Sequence, residues 1–307
     1  MKNKEHKLTV IIPCLNASKT IRKALQSLRE QTYKNFECIV MDGNSTDGTQ
    51  NIVNEYLDVV NVLISENDES GASAVNKALE MSNGELIGFL YADDYLLKNA
   101  LYEINNAYNK KNCDFISYGL RVINLKNNKV IMNCNNQKNI QSSLENACFK
   151  HVLNHFYHKN VFNDIGKLKP LYFDNTIFYS NDREFLIRLC LYNKKNYCIP
   201  KILYIMCYHK DSYTGSRKNV IKIRYEHIGI ADYYLLKPNL SKENKRILVE
   251  FKYHNLCILF FLYLITFNLY NASIIFYRGL LLRKIMWLPD LIYRPLKEII
   301  YRISLKL

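Results

Sequence analysis

A doubly wound α/β sheet flanked by helices, with a helical C-terminal tail, is the fold this sequence predicts. Three observations carry the prediction. Short apolar, β-branched runs alternate with amphipathic stretches through the first 110 residues. Each run ends in a cluster of turn and cap residues. Beyond about residue 240 the pattern changes to long helical periodicities with interspersed cations.

Leu8 to Pro13, LTVIIP, reads as a fully buried strand that Pro13 stops. Asn16-Ala17-Ser18 reads as a turn, with Ser18 capping a helix that carries Ile21, Leu25 and Leu28 at helical spacing. Phe36 to Met41 is the second strand. It runs into Asp42-Gly43-Asn44-Ser45-Thr46-Asp47-Gly48-Thr49, and a helix from Gln50 to Tyr56 comes next. Val59 to Ile64 is the third strand, Glu66 to Ser73 a polar loop, Ala74 to Met81 a short helix, and Leu86 to Leu90 the fourth strand. That order argues a parallel sheet with right-handed crossovers. Neither G-x-G-x-x-G nor a Walker A loop follows the first strand, so the dinucleotide and P-loop fingerprints are absent.

The next stretch predicts a helix at Leu101 to Lys110 and a strand at Cys113 to Gly119. Val122, Val130 and Met132 around Asn127-Asn128 suggest a hairpin. An apolar segment from Phe156 to Phe162 closes at Ile165-Gly166. Asp182 to Tyr192 is amphipathic, Tyr197 to Tyr208 strand-like, and Lys210 to Arg217 a polar loop. Arg224 to Leu236 is helical until Pro238-Asn239-Leu240-Ser241 breaks it.

The chemistry concentrates at the end of the fourth strand, in Tyr91-Ala92-Asp93-Asp94. Adjacent carboxylates closing a buried strand are costly unless a cation neutralises them. Hard divalent cations take oxygen ligands, and Mg²⁺ commonly uses one or two carboxylates with substrate phosphates. Ligands of open α/β sheets bind at the carboxyl ends of the strands. Position and chemistry therefore fit a metal–phosphate site; a solvated turn with Asp93 capping the next helix fits equally. Asp182 opens a helix, either as a cap favoured by the dipole or as an exposed base.

The chain has 307 residues and a formal charge of +14. Residues 1–110 hold 11 Lys and Arg against 15 Asp and Glu, a net of −4, so the remainder carries +18. Such a basic excess suits an anionic membrane or a phosphorylated acceptor. Nucleic acid is not expected, because no RNP, zinc or helix-turn-helix signature is present. Nine scattered cysteines without a C-x-x-C pair fit reduced thiols. MKNKEHKLTVIIP lacks a signal-peptide core, which predicts a cytoplasmic location.

Tyr253 to Tyr277 contains no Asp, Glu, Lys or Arg, long enough to span a bilayer. Its four tyrosines, with Asn255, Asn268 and Asn271, favour a buried or interfacial helix over a span. Leu280 to Leu307 pairs apolar residues at helical spacing with Arg283, Lys284, Arg294, Lys297, Arg302 and Lys306, and reads as basic amphipathic helix on a membrane surface. The expected organisation is a catalytic domain over 1–240, divided near residue 112, and a membrane-associating tail over 241–307. That organisation predicts a peripheral position on the cytoplasmic face of the cell membrane.

TVIIPCLNASKTIRKALQSLREQTYKNFECIVMDGNSTDGT resembles the opening of the family 2 glycosyltransferases, which have the GT-A fold. The likeness continues through SENDESGASAVNKALEMSNGELIGFLYADD and SNDREFLIRL, and covers residues 7–235. It implies a mixed, mostly parallel sheet and a bacterial surface-polysaccharide enzyme. It implies that Pro13 and Asn16 meet the nucleotide, Asp42 reads the base (usually uracil), and Asn76 and Lys77 lie near the diphosphate. Asp93 and Asp94 match the metal-binding DxD region, for Mn²⁺ or Mg²⁺, and Asp47 a turn former. Asp182 matches the catalytic base. Tyr91 stands where the first Asp of DxD often is, Asn181 where a Glu precedes the base, and Ala78 where many relatives have Gly.

The resemblance implies an inverting transfer of a sugar from a nucleotide-sugar, most often a UDP-sugar, to a hydroxyl of a glycan acceptor. The basic tail points to a polyprenyl-linked acceptor at the inner leaflet. Two other classes compete. A nucleotide-sugar-binding protein without turnover would not need Asp93, Asp94 and Asp182 together. A nucleotidyltransferase would carry a Gly-rich, Arg-containing loop after the first strand, where this chain has PCLNASKT.

Overall fold

The computed structural model describes residues 4–67, 70–111, 113–135, 143–149, 154–166, 177–209 and 217–283. The chain divides into two units: Met1–Ile123 with Met132–Cys207, and Asn124–Ile131 with Tyr208–Leu307.

The larger unit is built on a sheet. Its strands are β1 (Leu8–Cys14), β2 (Phe36–Asp42), β3 (Val62–Ser65), β4 (Leu86–Phe89), β5 (Tyr95–Leu96), β6 (Phe115–Asn124), β7 (Val130–Cys134), β8 (His155–His158) and β9 (Asn196–Tyr208). They lie in the order β3-β2-β1-β4-β8-β6-β9-β5, with β7 on β6. The first four pair in parallel: Ile11 lies opposite Ile39 on one side and Phe89 on the other, and Cys14 opposite Asp42. β8 then enters antiparallel to both β4 and β6, and β5 pairs antiparallel with β9. The sheet is thus mixed, with its parallel half holding the first 90 residues.

The apolar runs explain the parallel half. Leu8, Val10, Ile11 and Ile12 are at most 1% exposed, as a strand covered on both faces requires. α1 (Ile21–Arg29) buries Ile21, Ala24, Leu25 and Leu28, one stripe at helical spacing. Its N-cap is Thr20, not Ser18: a turn closed by the Thr20 N–H on the Ala17 carbonyl comes first, and the Ser18 N–H points instead at Asp47. α2 (Thr49–Asn54) starts after Gly48, whose φ of 91° is left-handed and suits glycine. α3 (Gly71–Met81) begins earlier than its apolar pattern suggests, because Ser70 caps it by accepting from the Ser73 N–H.

α4 (Ala100–Lys110), α5 (Leu144–Phe149), α6 (Lys159–Gly166) and α7 (Asn181–Leu191) complete this unit. The segment 156–166 divides into a strand and a helix. Gly88 lies opposite Phe156, and a Cβ there would meet the Phe156 ring at 2.3 Å, so the pairing of β8 on β4 needs glycine. The hairpin around Asn127-Asn128 is present, with Asn128 at φ 56° and the Asn124 N–H on the Lys129 carbonyl. All nine cysteines are free thiols.

The second unit is helical: α8 (Arg217–Leu235), α9 (Lys242–Leu264) and α10 (Leu269–Arg283). Ser241 caps α9 by accepting from the Asn244 N–H. The uncharged stretch 253–277 is not one membrane-crossing helix. A turn splits it between Leu264 and Leu269, with Phe267 at φ 54°, and α9 and α10 pack on each other. Among the described residues α9 alone is long and apolar enough to cross a membrane, but half of its apolar window is buried in the structure. Tyr253, Leu256, Leu259, Tyr263, Ala272 and Ile275 form the core there. Residues 210–216 and 284–307, for which the sequence predicts a polar loop and a basic amphipathic helix, lie outside the described residues.

Candidate active site

The carboxyl ends of β1, β2, β3 and β4 carry the expected residues on one edge of the sheet. Pro13 does not stop β1, which runs one residue further to Cys14; it lies opposite Met41. Asn16 adopts φ 51°, a conformation that asparagine tolerates better than most residues. Its N–H donates to Ser45 Oγ at 2.7 Å, and its Oδ1 accepts the Thr46 N–H at 3.0 Å. The Ala17 N–H donates to Thr49 Oγ1 at 2.8 Å and the Ser18 N–H to Asp47 Oδ2 at 2.9 Å. These four bonds lace the loop after β1 to the loop after β2. Asp47 also accepts the Thr49 N–H at 3.1 Å, the work of a turn former.

Asp42 is 1% exposed. Its Oδ2 accepts from the Ser45 N–H (3.0 Å), Gln50 Nε2 (3.1 Å) and Ser65 Oγ (2.6 Å), and its Oδ1 from Ser45 Oγ and Cys14 Sγ. Burial pushes its pKa up, but the hydrogen bonds from Ser45, Ser65 and Gln50 outweigh this and hold it below the usual carboxylate range. A carboxylate offers about four acceptor sites, so Asp42 is filled by its own chain. Ser45, Gln50 and Ser65 carry no signal for this role in the sequence beyond turn and helix composition. Asn76 is buried on α3, and Lys77 pairs with Glu66.

After β4 the Asp94 N–H turns back to the Tyr91 carbonyl at 3.0 Å. The next element is β5, not a helix, and the N-cap of α4 is Asn99; Asp93 is therefore not a helix cap. The two carboxylates part company here. Asp94 is 3% exposed, with Oδ2 accepting from the Tyr204 hydroxyl and Oδ1 from the Cys207 N–H, both at 2.7 Å. Burial first, and then the charge of Asp93, hold its carboxyl well above the usual range against those two donors. Asp93 is only half-buried.

Asp182 lies in the first turn of α7. Ser180 is the N-cap, and Asp182 Oδ1 accepts the Arg183 N–H at 2.7 Å. Packing fixes that first turn: Phe185 stacks on Phe162 and meets Tyr157 edge-on, both at 5.3 Å. Arg183 Nη1 donates to the Ala147 and Cys148 carbonyls at 2.6 and 2.8 Å, tying α7 to the end of α5. The Tyr91 phenol is held well above its usual pKa by burial and then by the charges of Asp182, Asp94 and Asp93. Burial and then Asp182 do the same to Tyr157. The charges of Asp182, Asp94 and Asp93 thus all act on the Tyr91 hydroxyl. Tyr157 and Tyr204 carry no sequence signal for this role, since an apolar context reads only as core, and Tyr91 is marked only by its place in the DxD region.

Among the described residues no group of three His, Cys, Asp or Glu could hold a metal by itself. A divalent cation beside Asp93 would need oxygens from its substrate, which fits the Mg²⁺ pattern of one or two carboxylates plus phosphates.

Fold and site together define an open α/β protein with Asp42, Asp93 and Asp94 at the carboxyl ends of its parallel strands, where sheets of this kind bind their ligands. The chain belongs to Glycosyl transferase family 2, whose pattern matches residues 9–169, just over half of it. It is 33% identical over 128 residues to the UDP-Glc:alpha-D-GlcNAc-diphosphoundecaprenol beta-1,3-glucosyltransferase WfgD of Escherichia coli, a match over 41% of this chain and 50% of that protein. It is 27% identical over 245 residues, 77% of each chain, to the GalNAc(5)-diNAcBac-PP-undecaprenol beta-1,3-glucosyltransferase of Campylobacter jejuni. Its fold is similar to that of S. aureus TarS 1–349 in complex with UDP-GlcNAc, at a TM-score of 0.63 and 22% identity, over 80% of this chain and 71% of that one. It is also similar to the mannosyltransferase PcManGT of Pyrobaculum calidifontis in complex with GDP-Man and Mn²⁺, at a TM-score of 0.62 and 17% identity, over 99% and 86%. These likenesses establish the GT-A fold.

Proposed function

We propose that this chain is an inverting, metal-assisted glycosyltransferase. It would move a hexosyl or N-acetylhexosaminyl group from a UDP-sugar to a hydroxyl of a polyprenyl-linked glycan in surface-polysaccharide synthesis. The observation that carries this reading is the Asp93-Asp94 turn after β4, where Asp94 is held by Tyr204 and Cys207 and the charges of both carboxylates and of Asp182 act on Tyr91. The names of the E. coli and C. jejuni relatives support the acceptor class, both being undecaprenol-linked, and the first supports UDP-glucose as donor type.

In this reading the acceptor hydroxyl gives its proton to the Asp182 carboxylate as its oxygen attacks the anomeric carbon. The bond from that carbon to the nucleoside diphosphate breaks on the opposite face. Asp93 is the residue that would hold Mn²⁺ or Mg²⁺, which as a Lewis acid would offset charge on the departing diphosphate. Asp94 anchors that turn through Tyr204 and Cys207. Asp42, already filled by protein donors, serves the base by fixing the pocket floor of Ser45, Ser65 and Gln50. Pro13 and Asn16, the latter bonded to Ser45, would meet the nucleotide beside them, and Asn76 and Lys77 would lie near the diphosphate. The chain would act peripherally on the cytoplasmic face of the membrane, with its tail on the inner leaflet.

Thermal shift against UDP-, GDP-, dTDP- and CMP-sugars, each with and without Mn²⁺, tests the donor site. Stabilisation by UDP-sugars that grows with Mn²⁺ is expected; a GDP-only response would replace the donor assignment. Asp182→Asn should lose about 10²–10⁴-fold in kcat while keeping that shift. Normal turnover by this variant would remove Asp182 from the reaction. Release of nucleoside diphosphate rather than pyrophosphate separates glycosyl from nucleotidyl transfer.

A further inference from the structure

α10 has two apolar faces, and among the described residues only one of them is covered. Ala272 and Ile275 are buried in the helical core with Tyr253, Leu256, Leu259 and Tyr263. Tyr270, Ile274, Tyr277 and Leu281 stand 76, 41, 63 and 69% exposed. Their spacing of four, three and four residues makes a single stripe along the helix. The turn before α10 extends that stripe, with Phe267 at 89% and Leu269 at 65% exposure. Scattered exposed apolar residues need no explanation, but a contiguous patch marks a contact surface.

Three features select a lipid bilayer as its occupant. No Asp, Glu, Lys or Arg occurs from Tyr253 to Tyr277, whereas the rim of a protein interface is polar. Tyrosines, with an apolar ring and a polar tip, favour the membrane–water boundary. The chain then turns basic: residues 278–307 hold seven Lys and Arg against two Asp and Glu, complementary to anionic headgroups. α9 is committed to packing within its own unit, which opposes a crossing of the bilayer.

We infer that the α9–α10 turn and the outer stripe of α10 dip into the headgroup region of an anionic bilayer, with the helices lying on it. This rests on the membrane-surface reading above and adds the surface that makes the contact. The basic residues supply attraction at a distance, and Phe267, Leu269 and Tyr270 supply the apolar insertion.

The test uses the full chain in flotation with phosphatidylcholine vesicles containing phosphatidylglycerol. A Phe267→Ser, Tyr270→Ser, Tyr277→Ser variant should lose on the order of tenfold or more in partitioning. Its UDP-sugar thermal shift should match that of the unsubstituted chain, which also certifies its fold. In a Trp287→Phe background, the indole of Phe267→Trp should be quenched by brominated lipid. Wild-type flotation by the triple variant, or an unquenched indole, would overturn the inference. So would a wild-type chain that does not float, whether monomeric or, with a second copy on the stripe, dimeric by light scattering. Flotation without any donor response would instead retire the enzymatic reading and leave the surface standing.

Discussion

Asp94 accepts from the Tyr204 hydroxyl and the Cys207 N–H, while its neighbour Asp93 keeps a half-exposed carboxylate. Substitution should separate the pair. Asp93→Asn should abolish the Mn²⁺-dependent part of the donor thermal shift. Asp94→Asn keeps an oxygen for the Cys207 N–H and an amide for the Tyr204 oxygen, so most of that shift should survive. The pH dependence comes from the raised folded-state pKa of Asp94. A folded state that holds a proton more tightly than the unfolded chain, where Asp titrates near about 3.9, loses stability as pH rises toward the folded value. In EDTA, Asp94→Asn should therefore gain stability relative to wild type between acidic and neutral pH. A constant difference across that range would mean that Asp94 does not titrate in it. The two carboxylates are equivalent in the sequence. What divides them is a strand more than 100 residues later, which no local pattern near Asp94 announces.

At the scale of elements, the parallel half was legible because each strand there is an apolar run stopped by turn chemistry. The order of strands beyond β4 was not. β8 is a four-residue strand continuous with a helix, and its insertion between β4 and β6 depends on distant partners. Gly88 is the permissive residue, since only a missing Cβ lets Phe156 lie over β4. Gly88→Ala should cost about 1–3 kcal/mol, as overpacking of a filled core does. Chemical denaturation would read it as a lower midpoint at unchanged slope. Gly88→Ala with Phe156→Leu should recover part of the loss, because the shorter side chain makes room; no recovery would place the strain in the backbone pairing instead. Tyr157, next to Phe156, supports the Phe185 packing behind Asp182, so the single variant should also weaken turnover more than donor binding. Asp182 itself was legible as a helix-opening acid. The effect of its charge on Tyr91 was not, because it depends on the packing of Phe185 against Phe162 and Tyr157.

Charge divides the whole molecule unevenly, and the division has a measurable consequence. Residues 1–110, which hold the parallel strands, carry a net −4, and residues 208–307 hold 17 Lys and Arg against 7 Asp and Glu, a net +10. An anionic surface attracts the basic residues of the C-terminal helices and repels the acidic excess of the first 110, so the field alone favours attachment through the tail. That field is screened over about 10 Å at 0.1 M salt and about 3 Å at 1 M. The apolar stripe of α10 is not screened at all. Partitioning onto phosphatidylglycerol vesicles should therefore fall steeply between 0.1 and 1 M NaCl and level off at a residual value. That residue should match binding to neutral vesicles and vanish in the Phe267→Ser, Tyr270→Ser, Tyr277→Ser variant. A salt titration that runs to zero in the unsubstituted chain would make the attachment purely electrostatic. One that is flat would assign it wholly to apolar burial and leave the basic excess to the acceptor's diphosphate.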